Sequence, residues 1–282
     1  FFCKLVLMSG IANDVISCGH DITAIIDSNG HAYTVGQNVT DVELNQEYGT
    51  VSWHDNYSNL PKMCAIYTKR NIVIAIAADN NDTYCLGKLE DYSGEKYVQP
   101  TLIPIIHDNI FKKRVVSVAV GYFHCIIVVE NQDKQQYCFG LGSNESYQLA
   151  TTHNTNIQQT SWIECNLINE LQLNIDTVIA GWKHSLLLTK EGEVWGWGNN
   201  SWRQLVCTAD RDSTYKAEKI RTPTKVITNN ENNVSYKCKT KDINLAIVGP
   251  VTQIACGASN NIILTKRHEV YAWGASTYGA CS

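Results

Sequence analysis

The chain has 282 residues, 44% of them hydrophobic and 18% charged, with a net charge of −4. That length can support one large core, burying roughly three quarters of the unfolded surface, and that composition excludes wholesale disorder. Its 23 basic against 27 acidic residues disfavour nucleic acid as a partner, because a broad phosphate-binding surface needs a basic excess or stripe.

The first residues, Phe1 to Met8, read as a strand too short for a signal peptide. The missing initiator Met points to a fragment or a trimmed chain. No apolar run approaches the ~20 residues of a membrane span. The 11 cysteines are odd in number and contain no Cys-x-x-Cys pair. Several sit in apolar runs, as free cysteines do in cores, which favours a reduced intracellular protein over a disulfide framework. Six Asn-x-Ser/Thr sequons, at Asn38, Asn56, Asn81, Asn144, Asn199 and Asn233, argue mildly for secretion.

Residues 16–36 are the first copy of a unit that returns at 65–87, 118–140, 179–198 and 254–274. Aligned on their first small residue, the copies begin at Gly19, Thr68, Gly121, Gly181 and Gly257. A second glycine follows at Gly36, Gly87, Gly140, Gly198 and Gly274, after 17, 19, 19, 17 and 17 residues. Three residues before it stands an aromatic in all five copies: Tyr33, Tyr84, Tyr137, Trp195 and Tyr271. One residue before it stands Val35, Leu86, Phe139, Trp197 or Trp273. In a chain that is 9% aromatic, this recurrence is not composition, and a fixed period signals a repeat architecture.

Each copy predicts a hairpin. Short apolar, β-branched runs such as Ile72 to Ala75 and Ser185 to Leu188 suit strands buried on both faces. Turns are predicted at Ser28-Asn29-Gly30, Asp79 to Asp82, Asn131 to Lys134, Glu191-Gly192 and Lys266 to His268. The aromatic-x-apolar-Gly strand then alternates with period two. Lone hairpins are barely stable, whereas neighbouring ones bury each other's faces and radial closure protects their edges. The prediction is an all-β propeller with five clear blades, or up to seven if degenerate blades or missing ends are counted. It forms one domain over residues 1–282. Copy spacing grows along the chain, 49, 53, 60 and 76 residues, and leaves a long polar insertion at about 207–250 with eight basic and five acidic groups. That insertion is either a protruding partner-binding element or a solvated excursion.

Covalent chemistry has no signature here. The chain lacks a phosphate loop, a His-Glu-x-x-His helix and a Gly-x-Ser-x-Gly elbow. His124-Cys125 and His184-Ser185 set a base beside a nucleophile, but adjacent strand residues point to opposite faces. Their recurring position makes His124 and His184 structural hydrogen-bonding residues. Cys and His lack metal-ligand spacing, so neither metal nor cofactor is expected. The binding candidates are Tyr122, Phe123, Trp182 and Lys183, in loops after the first glycine, and Trp202 and Arg203 in a polar tail. Exposed aromatics beside cations are interface anchors; packing between blades is the alternative for Trp182.

The repeats resemble those of the regulator-of-chromosome-condensation family. Cys18-Gly19, Cys256-Gly257, Gly121 with His124 and Gly181 with His184 match the start of its pattern. Trp197-Gly198 and Trp273-Gly274 match the middle, and Gln148-Leu149 and Gln204-Leu205 the tail. Thr68, Asn71 and Asn260 depart from it, as does the ending at Tyr278 to Cys281. The weak blades are similar to those of the alpha-tubulin suppressor protein and the secretion-regulating nucleotide exchange factor. The resemblance implies a cytoplasmic or nuclear, monomeric interaction module without covalent catalysis, docking a protein partner through its loops. That partner would be a component of a regulatory complex, such as a tRNA-modification or diphthamide-synthesis assembly. Alternatively it would be a Ran-like small GTPase undergoing nucleotide exchange. A secreted, lectin-like propeller is a third class, motivated by the sequons.

Overall fold

In the segment Ile72–Ala77, IVIAIA, every side chain is apolar and none alternates with a polar one; all six residues are buried. His124–Glu130 and His184–Thr189 are likewise buried throughout, with apolar centres and polar residues at their ends. These three strands lie inside their sheets, where neighbours cover both faces. The computed structural model describes residues 16–19, 22–36, 60–70, 72–87, 97–103, 105, 113–152, 159–205, 219–227, 235–238, 241–244 and 250–275. The chain divides into two units, Phe1–Arg114 and Val115–Ser282.

The first unit holds two antiparallel sheets. One has the order β1 (Ile16–Cys18), β2 (Ile22–Ile26), β3 (Ala32–Gly36). The other has the order β4 (Met63–Lys69), β5 (Ile72–Ala77), β6 (Thr83–Gly87), β7 (Tyr97–Leu102). Ile22, Ala24 and Ile26 pack against Met63, Ile66, Val73, Ala75 and Ala77, an alternating strand meeting one that is apolar throughout. The predicted turn at Gly30 is present. Gly30 has φ +88°, and Asp27 Oδ1 accepts from the amides of Asn29 (2.9 Å) and His31 (2.8 Å). Those donors hold the Asp27 carboxyl below its ordinary value, the His31 amide contributing most.

In the second unit β8 (Arg114–Val120), β9 (His124–Glu130), β10 (Gln136–Gly142) and β11 (Gln159–Glu164) form a sheet ordered β11-β10-β9-β8. A four-residue helix, α1 (Asn166–Asn169), follows. Next come β12 (Ile175–Ala180), β13 (His184–Thr189), β14 (Val194–Asn199) and β15 (Lys219–Ile227), in that order. β16 (Ser235–Cys238) pairs with β17 (Lys241–Asn244), and β18 (Val251–Cys256), β19 (Asn260–Thr265) and β20 (Val270–Gly274) make the last sheet. The sheets interleave by burying side chains between them. Ile126 and Val128 meet Val178, Leu187 and Trp197, and Leu186, Leu188 and Val194 meet Ile254, Ile263 and Trp273.

Each of the five predicted copies falls in its own sheet, but two registers differ from the prediction. In the fourth copy His184 faces Gly198 and Leu187 faces Trp195. In the third, His124 faces Gly142 and Ile127 faces Phe139. Phe139 and Gly142 therefore hold the places assigned to Tyr137 and Gly140, and Gly142 shares the positive φ of Gly198 and Gly274 (99°, 103° and 108°). A two-residue shift leaves alternation unchanged, and Tyr137-Cys138-Phe139-Gly140 and Phe139-Gly140-Leu141-Gly142 both fit the motif. In the second copy Ile72 faces Gly87, one residue later than alignment on Thr68 predicts; Asn71 lies outside the described residues. Part of the predicted insertion is also regular structure, since β15 is the fourth strand of its sheet, paired from Ile227 opposite Val194 to Lys219 opposite Asn199. Pro223 falls within it, and it is an edge strand among the described residues, where proline is tolerated.

Candidate functional site

A hydrogen-bond chain joins successive sheets of the second unit. Ser185 donates its hydroxyl proton to the Gln148 carbonyl (3.1 Å), so Ser185 Oγ accepts from His124 Nε2 (2.7 Å). Trp197, opposite Ser185 in the hairpin, donates its indole N–H to the same carbonyl (2.8 Å). One sheet on, the pattern repeats. His184 Nε2 meets Asn261 Oδ1 (2.9 Å), while Asn261 Nδ2 (2.6 Å) and Trp273 Nε1 (2.8 Å) donate to the Gln204 carbonyl. His124, Ser185 and His184 are 0% exposed, where a polar group without partners would be costly. The tail residues predicted from Gln-Leu thus serve through a backbone carbonyl, and Leu149 and Leu205 are fully buried.

This chain leaves the histidines no free nucleophile. The Ser185 hydroxyl is committed to Gln148, and Cys125 is buried. Burial pushes the Cys85 thiol up to about 12 and raises those of Cys138 and Cys165 as well, Cys165 also through Cys138 and Glu164. A thiol so shifted is not a thiolate at neutral pH. Cys18, Cys64, Cys85, Cys138 and Cys165 form no disulfide. Among the described residues no His, Cys, Asp and Glu cluster could hold a metal, and no helix is long and apolar enough to cross a membrane. Of the sequons, Asn144 is 4% exposed and accepts from the Leu149 amide (3.0 Å), so its side chain is structural. Asn38, Asn56 and Asn233 lie outside the described residues.

The predicted binding residues collect at one end of the second unit's sheets. The loop after Gly121 bonds across to the next sheet, Tyr122 N–H to the Gly181 carbonyl (3.0 Å), and Trp182 N–H bonds to the Ala258 carbonyl (2.9 Å). These close approaches stack the loops, and a Cβ on Gly121 would stand 2.7 Å from the Gly181 oxygen. The Tyr122 ring lies 5.1 Å from that of Trp182 and 5.6 Å from that of Phe123. Lys183 Nζ sits 5.2 Å over the Phe123 ring and 2.9 Å from Glu145 Oε2. Trp182 nevertheless remains 45% exposed, so packing between sheets uses only part of its surface. Trp202, 59% exposed, and Arg203, also exposed, occupy the adjoining tail loop, which begins where Asn199 N–H bonds to the Lys183 carbonyl (2.7 Å). Four of the six candidates thus form one cluster and the other two flank it. The sequence reading missed Glu145, whose only signal was its place in a tail loop beside a cation 38 residues away.

The model of the regulator of chromosome condensation (RCC1) repeat matches residues 175–201 and 251–280. Protein pim1 of Schizosaccharomyces pombe is 21% identical over 272 residues, 93% of this chain and 46% of that protein. The chain therefore spans less than half of that relative. Human WBSCR16 superposes with a TM-score of 0.64 at 18% identity, over 92% of this chain and 61% of that one. Prp20p of Saccharomyces cerevisiae, described with its binding properties to Gsp1p and histones, superposes with a TM-score of 0.65 at 17% identity, over 92% and 56%. These likenesses and the sheet-by-sheet recurrence of the unit show that the chain carries regulator of chromosome condensation repeats at residues 175–201 and 251–280 and has the β-propeller fold of those solved structures.

Proposed function

We propose that this chain is a regulatory docking module that binds a protein partner through the loops carrying Tyr122, Phe123, Trp182, Lys183, Trp202 and Arg203. The observation that carries the reading is Trp182, half of whose surface stays open to solvent although its ring is braced by Tyr122. Large aromatics fixed in place lose little entropy on binding and dominate interface energies. Free, buried cysteines suit the reducing cytoplasm or nucleus, and the module acts as a monomer without cofactor or covalent catalysis. The test is to recover a partner from native cells with the immobilised chain and titrate it against Trp182→Ala. Affinity should fall about tenfold or more, as for an anchor residue, with the thermal midpoint little changed. Unaltered affinity would remove the reading.

A second reading is nucleotide exchange on a Ran-like small GTPase, supported by the likeness to Prp20p, described as binding Gsp1p. Exchange needs only tighter binding of the nucleotide-free GTPase, so it fits a site without catalytic groups. Release of a fluorescent nucleotide from a panel of small GTPases should accelerate in the presence of the chain. Unchanged release across the panel would retire this reading.

A further inference from the structure

The tail loops of the β9–β10 and β13–β14 hairpins have the same construction. Asn144 Oδ1 accepts from the Leu149 amide and Asn200 Oδ1 from the Leu205 amide (3.0 and 2.8 Å). The Ser146 amide donates to Gln148 Oε1 and the Trp202 amide to Gln204 Oε1 (2.7 and 2.9 Å). Tyr147 and Arg203 both take positive φ, 64° and 58°. The loops therefore correspond residue by residue: Glu145 with Ser201, Ser146 with Trp202, and Tyr147 with Arg203. In the first loop Glu145 neutralises Lys183. In the second, Ser201 replaces the carboxylate and Arg203 adds a guanidinium. Among the described residues no carboxylate pairs with Arg203.

We infer that the partner presents an acidic segment to this surface, with Arg203 gripping its carboxylates beside Trp202. The inference rests on the docking reading above and names the chemistry of what docks. An arginine fork matches a carboxylate in bidentate geometry. Asn200 and Gln204, 7% and 1% exposed, brace the loop that carries it, so little ordering is needed on binding. Charge complementarity selects the occupant, because the chain is acidic overall, at −4, yet this loop carries an uncompensated cation. Single-stranded nucleic acid fits less well, since phosphate binding recruits several cations and Lys183 is already held by Glu145.

The probe is a fluorescein-labelled hexapeptide of alternating Glu and Leu, titrated by anisotropy at low ionic strength, beside its Lys-Leu counterpart and hexathymidylate. Only the acidic peptide should bind. Arg203→Glu should weaken it about tenfold, whereas Lys190→Glu, an equal charge change at the far turn of the same hairpin, should leave it within about twofold. Equal losses in both variants, no loss in Arg203→Glu, no binding at millimolar peptide, or tighter binding of hexathymidylate would each overturn the acidic-segment assignment. The recovered natural partner separates the two readings. If Trp182→Ala weakens it and Arg203→Glu does not, docking stands and the acidic assignment falls; if neither does, docking itself falls.

Discussion

Gly198 holds φ +103° directly opposite His184. A Cβ there would stand 2.6 Å from the Lys183 carbonyl oxygen and 2.8 Å from the His184 Cα. Both obstacles are backbone and cannot swing aside. Gly198→Ala combines this clash with a left-handed conformation that disfavours side chains, and should destabilise the second unit by about 2–4 kcal/mol. Urea unfolding followed by tryptophan fluorescence would show it, and an unchanged midpoint would contradict the geometry. The sequence marked Gly198 as a repeat position, yet its reason lies in the neighbouring strand. The same is true of His184, whose partner Asn261 is 77 residues away.

Among the elements, the third hairpin separates pattern from position. Phe139 is 1% exposed and faces Ile127. Tyr137 is only partly buried, its hydroxyl 3.2 Å from Gln135 near the turn. Phe139→Ala should cost about 3–5 kcal/mol, as for a buried aromatic, and Tyr137→Ala about 1 kcal/mol, the usual scale away from a core. Matched denaturation curves would decide it; the reverse order would restore the register expected from the motif. The β15 strand was equally hard to read. Its Lys-Ile-Arg-Thr-Pro-Thr-Lys-Val-Ile sequence mixes alternating apolar residues with charges and a proline, so its polarity masked its period. What made it a strand was the open edge of β14, a feature of the sheet and not of the segment.

At the scale of the whole molecule, buried thiols in both units make stability fall at high pH. Burial raises the Cys85 thiol from 9.0 to about 12, and Cys138 and Cys165 move in the same direction. Between those values the unfolded chain has released its thiol protons while the folded chain still holds them. Stability is therefore full below 9.0 and declines as pH rises towards about 12. Thermal midpoints measured across that window should drop, and Cys85→Ala should make the decline of the first unit shallower; an identical slope would refute the assignment. The sequence by itself determined the hairpin unit, its turns and the tail Gln-Leu, because these are set by neighbours a few residues apart and by a period of two. Tertiary structure alone decided the third hairpin's register, the pairing of Lys183 with Glu145 and the bonds of His124 and His184. Alternation cannot distinguish a shift of two residues, and partners 38 to 77 positions apart meet only when whole sheets pack.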